Sequence, residues 1–154
     1  MVTHDRYGKN VLDLATNREF QHWFVEKERA FEYPSGGIVA KLDGVIGEDC
    51  VVEVEGLNEK QIRAGILDLV FHPRPKKLLV IIPANLSKTR REDIQQAYQR
   101  LLDDLVHATH SSAIGRVLVL KGTGHEPEEY LDEDCSMLRQ ALQLLNPRIS
   151  PVKE

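Results

Sequence analysis

Cysteine is scarce in this chain. Cys50 and Cys135 stand far apart and outside any CxxC spacing, so neither a disulfide framework nor a zinc site follows. Long apolar runs are missing too. The longest, LLVIIPA at residues 78–84, is far too short to span a bilayer. The opening stretch MVTHDRYGKN lacks the apolar core of a signal peptide, which makes a reducing cytoplasm the expected location. Positive charge is in deficit, with 20 Lys and Arg against 24 Asp and Glu and a net charge of -4. That argues against a protein that coats nucleic acid non-specifically. It leaves room for an enzyme whose acidic site carries much of the negative charge. No Ser-His-Asp or Cys-His order is legible. The acidic, Gly-containing stretch GTGHEPEEYLDED (122–134) lacks the glycine pattern of a phosphate loop. It suits the first turn of a closing helix instead.

The chain does have the composition of a globular protein, 42% hydrophobic and 29% charged over 154 residues. A single domain (1–154) of this length buries about 70% of the surface its unfolded chain exposes. Residues 1–16 show no clear period. Asn17 is a candidate cap for a helix to about Phe31, with Phe20, Trp23, Phe24 and Phe31 at roughly helical spacing. YPSGG (33–37) breaks it. GIVAKLDGVIG reads as a strand with a bend at Gly44, and CVVEVEG as the next, joined through the tight Gly47-Glu48-Asp49 turn into an antiparallel hairpin.

Asn58 opens a helix with Ile62, Ile66, Leu69 and Val70 on one side, stopped by HPRP (72–75). KLLVIIPA is the continuous apolar run of a strand buried on both faces. Thr89 and Glu92 form a capping-box pattern before the helix that buries Ile94, Ala97, Tyr98, Leu101, Leu105 and Val106. RVLVLKG (116–122) is a further strand, and a last helix covers about 130–145, with Pro147 beyond it. The order is α-β-β-β-α-β-α-β-α. It implies an α/β fold, a mixed central sheet flanked by helices.

One strand raises a question of chemistry. In CVVEVEG, Val51, Glu53 and Glu55 point one way and Cys50, Val52 and Val54 the other. A three-residue connection pairs Ile46 with Cys50 and sets Asp43 opposite Glu53. All three acids then share a face, where cross-strand neighbours sit about 4.5–5.5 Å apart. Two carboxylates about 5 Å apart repel by roughly 3 kcal/mol at an effective dielectric near 20. A divalent cation, a shared proton or a nearby Lys or Arg has to offset that, and carboxylate oxygens suit Mg²⁺ or Mn²⁺. The plainer reading is a solvated strand face. Both stand at this point.

Asp43, then Glu53-Val54-Glu55 at the end of the next strand, then a helix opening with Gln61, resembles the PD-(D/E)XK nuclease superfamily, whose common α-β-β-β-α-β core matches residues 17–83 in order. Leu42 stands where that superfamily has proline, and Glu55 where it usually has lysine; some restriction endonucleases resemble this E-x-E pattern. The resemblance implies a restriction-endonuclease-like α-β-β-β-α-β core followed by α-β-α, in a single domain whose body runs from about 17 to 122 and whose C-terminal helix covers about 130–145. It implies a Mg²⁺- or Mn²⁺-dependent endonuclease acting on DNA, with no organic cofactor. Asp43, Glu53 and Glu55 would hold the metal, Glu55 doubling as base or orienter of water. Gln61 would contact the active site, although Asn58-x-x-Gln61 is also a near capping box. Glu28 or Glu32 would be the extra acid that some members supply.

Lys88, Arg90 and Arg91 cluster at a helix start, where phosphate is favoured, with Lys76 and Lys77 nearby in sequence. A solvated loop is the plainer explanation of the cluster. His107 and His110 suit a helix C-terminus. A homodimer would supply two cuts, and a protein partner is the other arrangement. A non-catalytic interaction or assembly module of the same fold is the alternative reading.

Overall fold

The structure is a computed structural model, and it describes residues 3–20, 24–25, 30–56, 58–83, 90–124 and 129–148. Helix α1 is Thr3–Phe20; the strands that follow are β1 (Phe24–Val25), β2 (Ala30–Glu32), β3 (Val39–Lys41), β4 (Gly44–Ile46) and β5 (Cys50–Glu55). Then come α2 (Glu59–Phe71), β6 (Lys76–Ile81), α3 (Arg91–Ala108), β7 (Ile114–Val119) and α4 (Leu131–Leu145). The main sheet has the order β1-β4-β5-β6-β7 among the described residues. Its β1-β4 and β4-β5 pairs are antiparallel, and β5-β6 and β6-β7 are parallel. The mixed α/β fold expected above is therefore present, with helices on both faces.

Each face is decided by strand alternation. On one, Cys50, Val52, Val54, Leu78, Val80 and Leu118 pack with Val11, Leu12 and Ala15 of α1 and Leu138 and Leu142 of α4. On the other, Val51, Leu79, Ile81, Val117 and Val119 meet Ile62, Ile66 and Leu69 of α2 and Ile94 and Leu102 of α3. Both cysteines are buried thiols outside any disulfide. No helix among the described residues is long and apolar enough to cross a membrane.

The N-terminal reading needs correction. Residues 3–20 are helical, while Phe24 and Phe31 lie in strands. Pairing of Phe24 with Ile46, and of Phe31 with Ala40, overrides an aromatic spacing that only mimics a helix. Trp23 lies outside the described residues. The predicted strand at 37–47 divides at Leu42-Asp43, with β3 joining β2 in a separate two-stranded sheet and β4 joining the main one. Arg90, not Thr89, caps α3, without a side-chain hydrogen bond, and Thr89 lies outside the described residues.

The β4-β5 turn ties down the C-terminal segment. Gly47 has φ 64, and a Cβ there would lie 1.9 Å from the carbonyl oxygen of Arg148. That same oxygen accepts from Glu48 N at 2.9 Å, and Arg148 N donates to Asp49 Oδ1 at 2.9 Å. Burial alone would raise the Asp49 pKa, but these bonds and Lys76 at 3.1 Å hold it below the usual carboxylate range. Gly47→Ala combines a left-handed backbone with a backbone clash. It should lower Tm by about 5–10 °C, measured by differential scanning fluorimetry.

Candidate active site

The register of the β4-β5 hairpin places the acids. Ile46 pairs with Cys50, Val45 with Val51 and Gly44 with Val52, so Asp43 follows next, level with Glu53. Just past the last β4 pair, the Asp43 carboxylate takes over as hydrogen-bond acceptor for β5. Its Oδ2 accepts from Val54 N at 2.7 Å. Its Oδ1 lies 3.7 Å from Lys9 Nζ of α1, both side chains being largely covered.

Glu53 and Glu55 face α2. The solvated-face reading fails for Glu53, which is 8% exposed. What makes room for the carboxylates is the absence of a side chain on the helix opposite. A Cβ at Gly65 would lie 3.3 Å from Glu53 Cγ, 4.0 Å from Glu53 Oε2 and 3.9 Å from Glu55 Oε2. Burial, a hydrogen bond with Asp43 and the charges of Asp43, Glu55 and Asp68 push the Glu53 pKa up to about 11. Burial and the neighbouring acids thus favour the protonated form of Glu53, and a proton held between it and Asp43 relieves the repulsion that the spacing of the acids creates.

Asp68 is a fourth acid, contributed by α2 three residues beyond Gly65. It accepts a short hydrogen bond from the Tyr33 hydroxyl. Burial and Asp68 raise the Tyr33 pKa. Tyr33 follows β2, and its ring stacks on Phe31 and packs against Phe71, so the small sheet is fastened beside the acids.

Gln61 sits one turn before Gly65, on the stripe of α2 that faces them, yet it is exposed. Its backbone N donates to Asn58 Oδ1 at 2.9 Å, so Asn58 is the true N-cap. Glu32 lies apart from the acids as an exposed residue that accepts from Gly37 N at 2.8 Å. Glu28 and Lys88 lie outside the described residues.

The predicted phosphate-binding cations divide. Arg90, 82% exposed, pairs with Asp93 at 3.1 Å. Arg91 turns inward, donating to Val119 O at 2.7 Å. Val119 pairs with Ile81, and Ile81 with Glu55, so Val119 is two strand spacings, about 10 Å, from Glu55, and Arg91 lies beyond it at the same end of the sheet. Lys76 is held by Asp49, and Lys77 is buried, donating to His72 O, with burial lowering its pKa to about 8. Neither lysine is presented to a ligand in the way the sequence suggested.

Among the described residues, no three His, Cys, Asp or Glu side chains form a ready-made metal site. The donor set still suits a hard cation, being all carboxylate oxygen. Proton and Lys9 stand where a divalent ion would have to compete.

Sequence reasoning missed Lys9, Tyr33, Gly65 and Asp68. Gly65 carried a signal, as a glycine inside a helical pattern, which usually marks close packing. Asp68 shares the Gln61-Gly65 stripe at helical spacing. Lys9 and Tyr33 arrive from distant elements and left no trace in local pattern. Compared with known proteins, the chain matches no family model, no curated protein and no solved structure.

Proposed function

We propose that this protein is a metal-dependent endonuclease that hydrolyses phosphodiester bonds in DNA, with a restriction-endonuclease-like core. The observation that carries this reading is the gathering of Asp43 and Glu55 around the buried Glu53 of β5, with Gly65 of α2 laid over the two glutamates. A structural face would place apolar side chains there, since crowding acids into a buried site costs stability even where a proton and Lys9 offset part of the charge. Element order and the Asp43, Glu53-x-Glu55 spacing add support. Asp43 and Glu53 would hold Mg²⁺ or Mn²⁺, with Glu55 completing the set. When bound, such an ion polarises a phosphate oxygen and lowers the pKa of an attacking water. Glu55 is the less buried of the two glutamates and is the natural acceptor of that water's proton. Gly65, lacking a side chain, lets α2 pack close over both carboxylates without displacing them.

The alternative, a non-catalytic module of the same fold, draws on one observation. Lys9 and the Glu53 proton already neutralise the acids without an ion. Metal titration separates the two. At neutral pH, binding at Glu53 must expel its proton. Mn²⁺ titrated calorimetrically in buffers of different ionisation enthalpy should release about one proton per site. Saturation at about 100 times Kd should add about 2.7 kcal/mol of stability. Binding without proton release would place the ion elsewhere.

A further inference from the structure

We infer that the groove between α3, β7 and α4 is a docking site for an acidic, amphipathic peptide segment of a partner protein. The groove has a volume of about 630 Å³. It lies on the α4 face of the sheet, because Arg116 alternates with Val117 and so points with Leu118 toward that helix. Glu53 points to the opposite face, so the groove is distinct from the acidic site and its inference does not rest on the nuclease reading.

Three features define what it takes. The first is an apolar wall. Helix α4 buries Leu138, Leu142 and Leu145 in the core, yet it carries a second apolar stripe of Met137, Ala141 and Leu144 along the groove. Leu144 is 59% exposed. Secondly, two guanidinium groups lack an acid among the described residues. Arg116 Nε is buried with no acceptor among the described residues. Among the described residues Arg100 makes only a long bond within α3, to Gln96 O at 3.4 Å. In a chain with a net charge of -4, two arginines left without a carboxylate beside an apolar wall invite one from outside.

The third feature excludes strand addition. β7 is an edge strand, but α3 closes its edge with side chains. Gln95 Oε1 accepts from Val119 N at 2.9 Å and Gln99 Oε1 from Val117 N at 2.8 Å. Gln99 Nε2 donates to Gly115 O at 3.0 Å, and Arg91 to Val119 O at 2.7 Å. Residues 91, 95 and 99 recur one helical turn apart and stand in for a sixth strand. An incoming segment therefore has to bind through its side chains, apolar ones on the α4 stripe and a carboxylate on Arg116 and Arg100. A phosphate backbone would leave the Met137-Ala141-Leu144 wall uncovered, which favours a peptide over a nucleic acid.

The test is selection from a displayed random peptide library on the intact chain, followed by fluorescence anisotropy of the enriched peptides. Enriched sequences should carry Asp or Glu flanked by large apolar residues. Arg116→Gln and Leu144→Glu should each weaken binding at least tenfold, Arg116→Lys less, with Tm confirming that each variant is folded. Neutral or basic consensus peptides, no enrichment, or equal binding by folded variants would overturn the proposal. So would tighter, Arg116-dependent binding of a single-stranded oligonucleotide, or self-association of the chain abolished by Leu144→Glu.

Discussion

Glu53→Gln should melt about 10 °C above the wild-type protein at pH 8 in EDTA, and the advantage should vanish as the pH approaches 4.5. The reason is linkage. In the folded chain, burial, the hydrogen bond with Asp43 and three neighbouring acids raise the Glu53 pKa from 4.5 to about 11. A raised pKa means that the folded state binds the proton more tightly than the unfolded state does. Stability tied to this group is complete below pH 4.5 and drains away as pH rises toward 11. One proton sets a ceiling of about 1.4 kcal/mol per pH unit, or up to about 4 kcal/mol between pH 5 and pH 8. For a chain of this size each kcal/mol moves Tm by about 2–4 °C. Glutamine keeps the shape and a donor for Asp43 and has no proton to lose, so its stability curve should be flatter. Parallel curves for wild type and variant from pH 5 to pH 9 would show that Glu53 is ionised in the fold.

A second large effect is expected at Glu55. If it takes the proton of the attacking water, Glu55→Ala should slow DNA cleavage in Mn²⁺ by about 10²–10⁴-fold, the range for loss of a general base. The fold should survive, because Glu55 is only partly buried at the end of β5. Glu55→Lys makes the comparison sharper. It supplies the ammonium of the motif that this chain resembles, and cleavage should recover relative to Glu55→Ala. An unchanged rate in Glu55→Ala would remove this residue from the chemistry.

What the sequence disclosed about this site follows from locality. A three-residue turn and a period of two were enough to set Ile46 on Cys50, and so to bring Asp43 level with Glu53. The β6 and β7 runs and the α2 start at Asn58 were legible for the same reason, since each is written in consecutive residues. Helix α1 was not. Its buried stripe is Gly8, Val11, Leu12, Ala15 and Thr16, in which a glycine and a threonine interrupt the apolar signal. That glycine is needed because a Cβ there would lie 2.6 Å from Val54 Cγ1. The β2-β3 pair was hidden because Phe31 is strand only through its pairing with Ala40. Which face of β5 was buried also lay beyond local pattern. That is decided by α2 laying Gly65 over Glu53, a contact between residues on separate elements. The cations were misjudged for a related reason. Arg91, Lys76 and Lys77 look like a phosphate-binding group in one dimension, yet each bonds internally to a carbonyl or acid supplied from elsewhere.

The measurement that bears most directly on the proposed chemistry is DNA cleavage by wild type and Glu53→Gln side by side. Supercoiled, linear, single-stranded and branched DNA would be incubated with each protein in Mn²⁺ and in EDTA, with Tm recorded for the same preparations. Wild type should cut in Mn²⁺ and not in EDTA, while Glu53→Gln, although the more stable protein, should not cut at all. A wild-type protein inactive on every form of DNA, or a Glu53→Gln variant that cuts as fast as wild type, would contradict the assignment of the acidic face as a nuclease site.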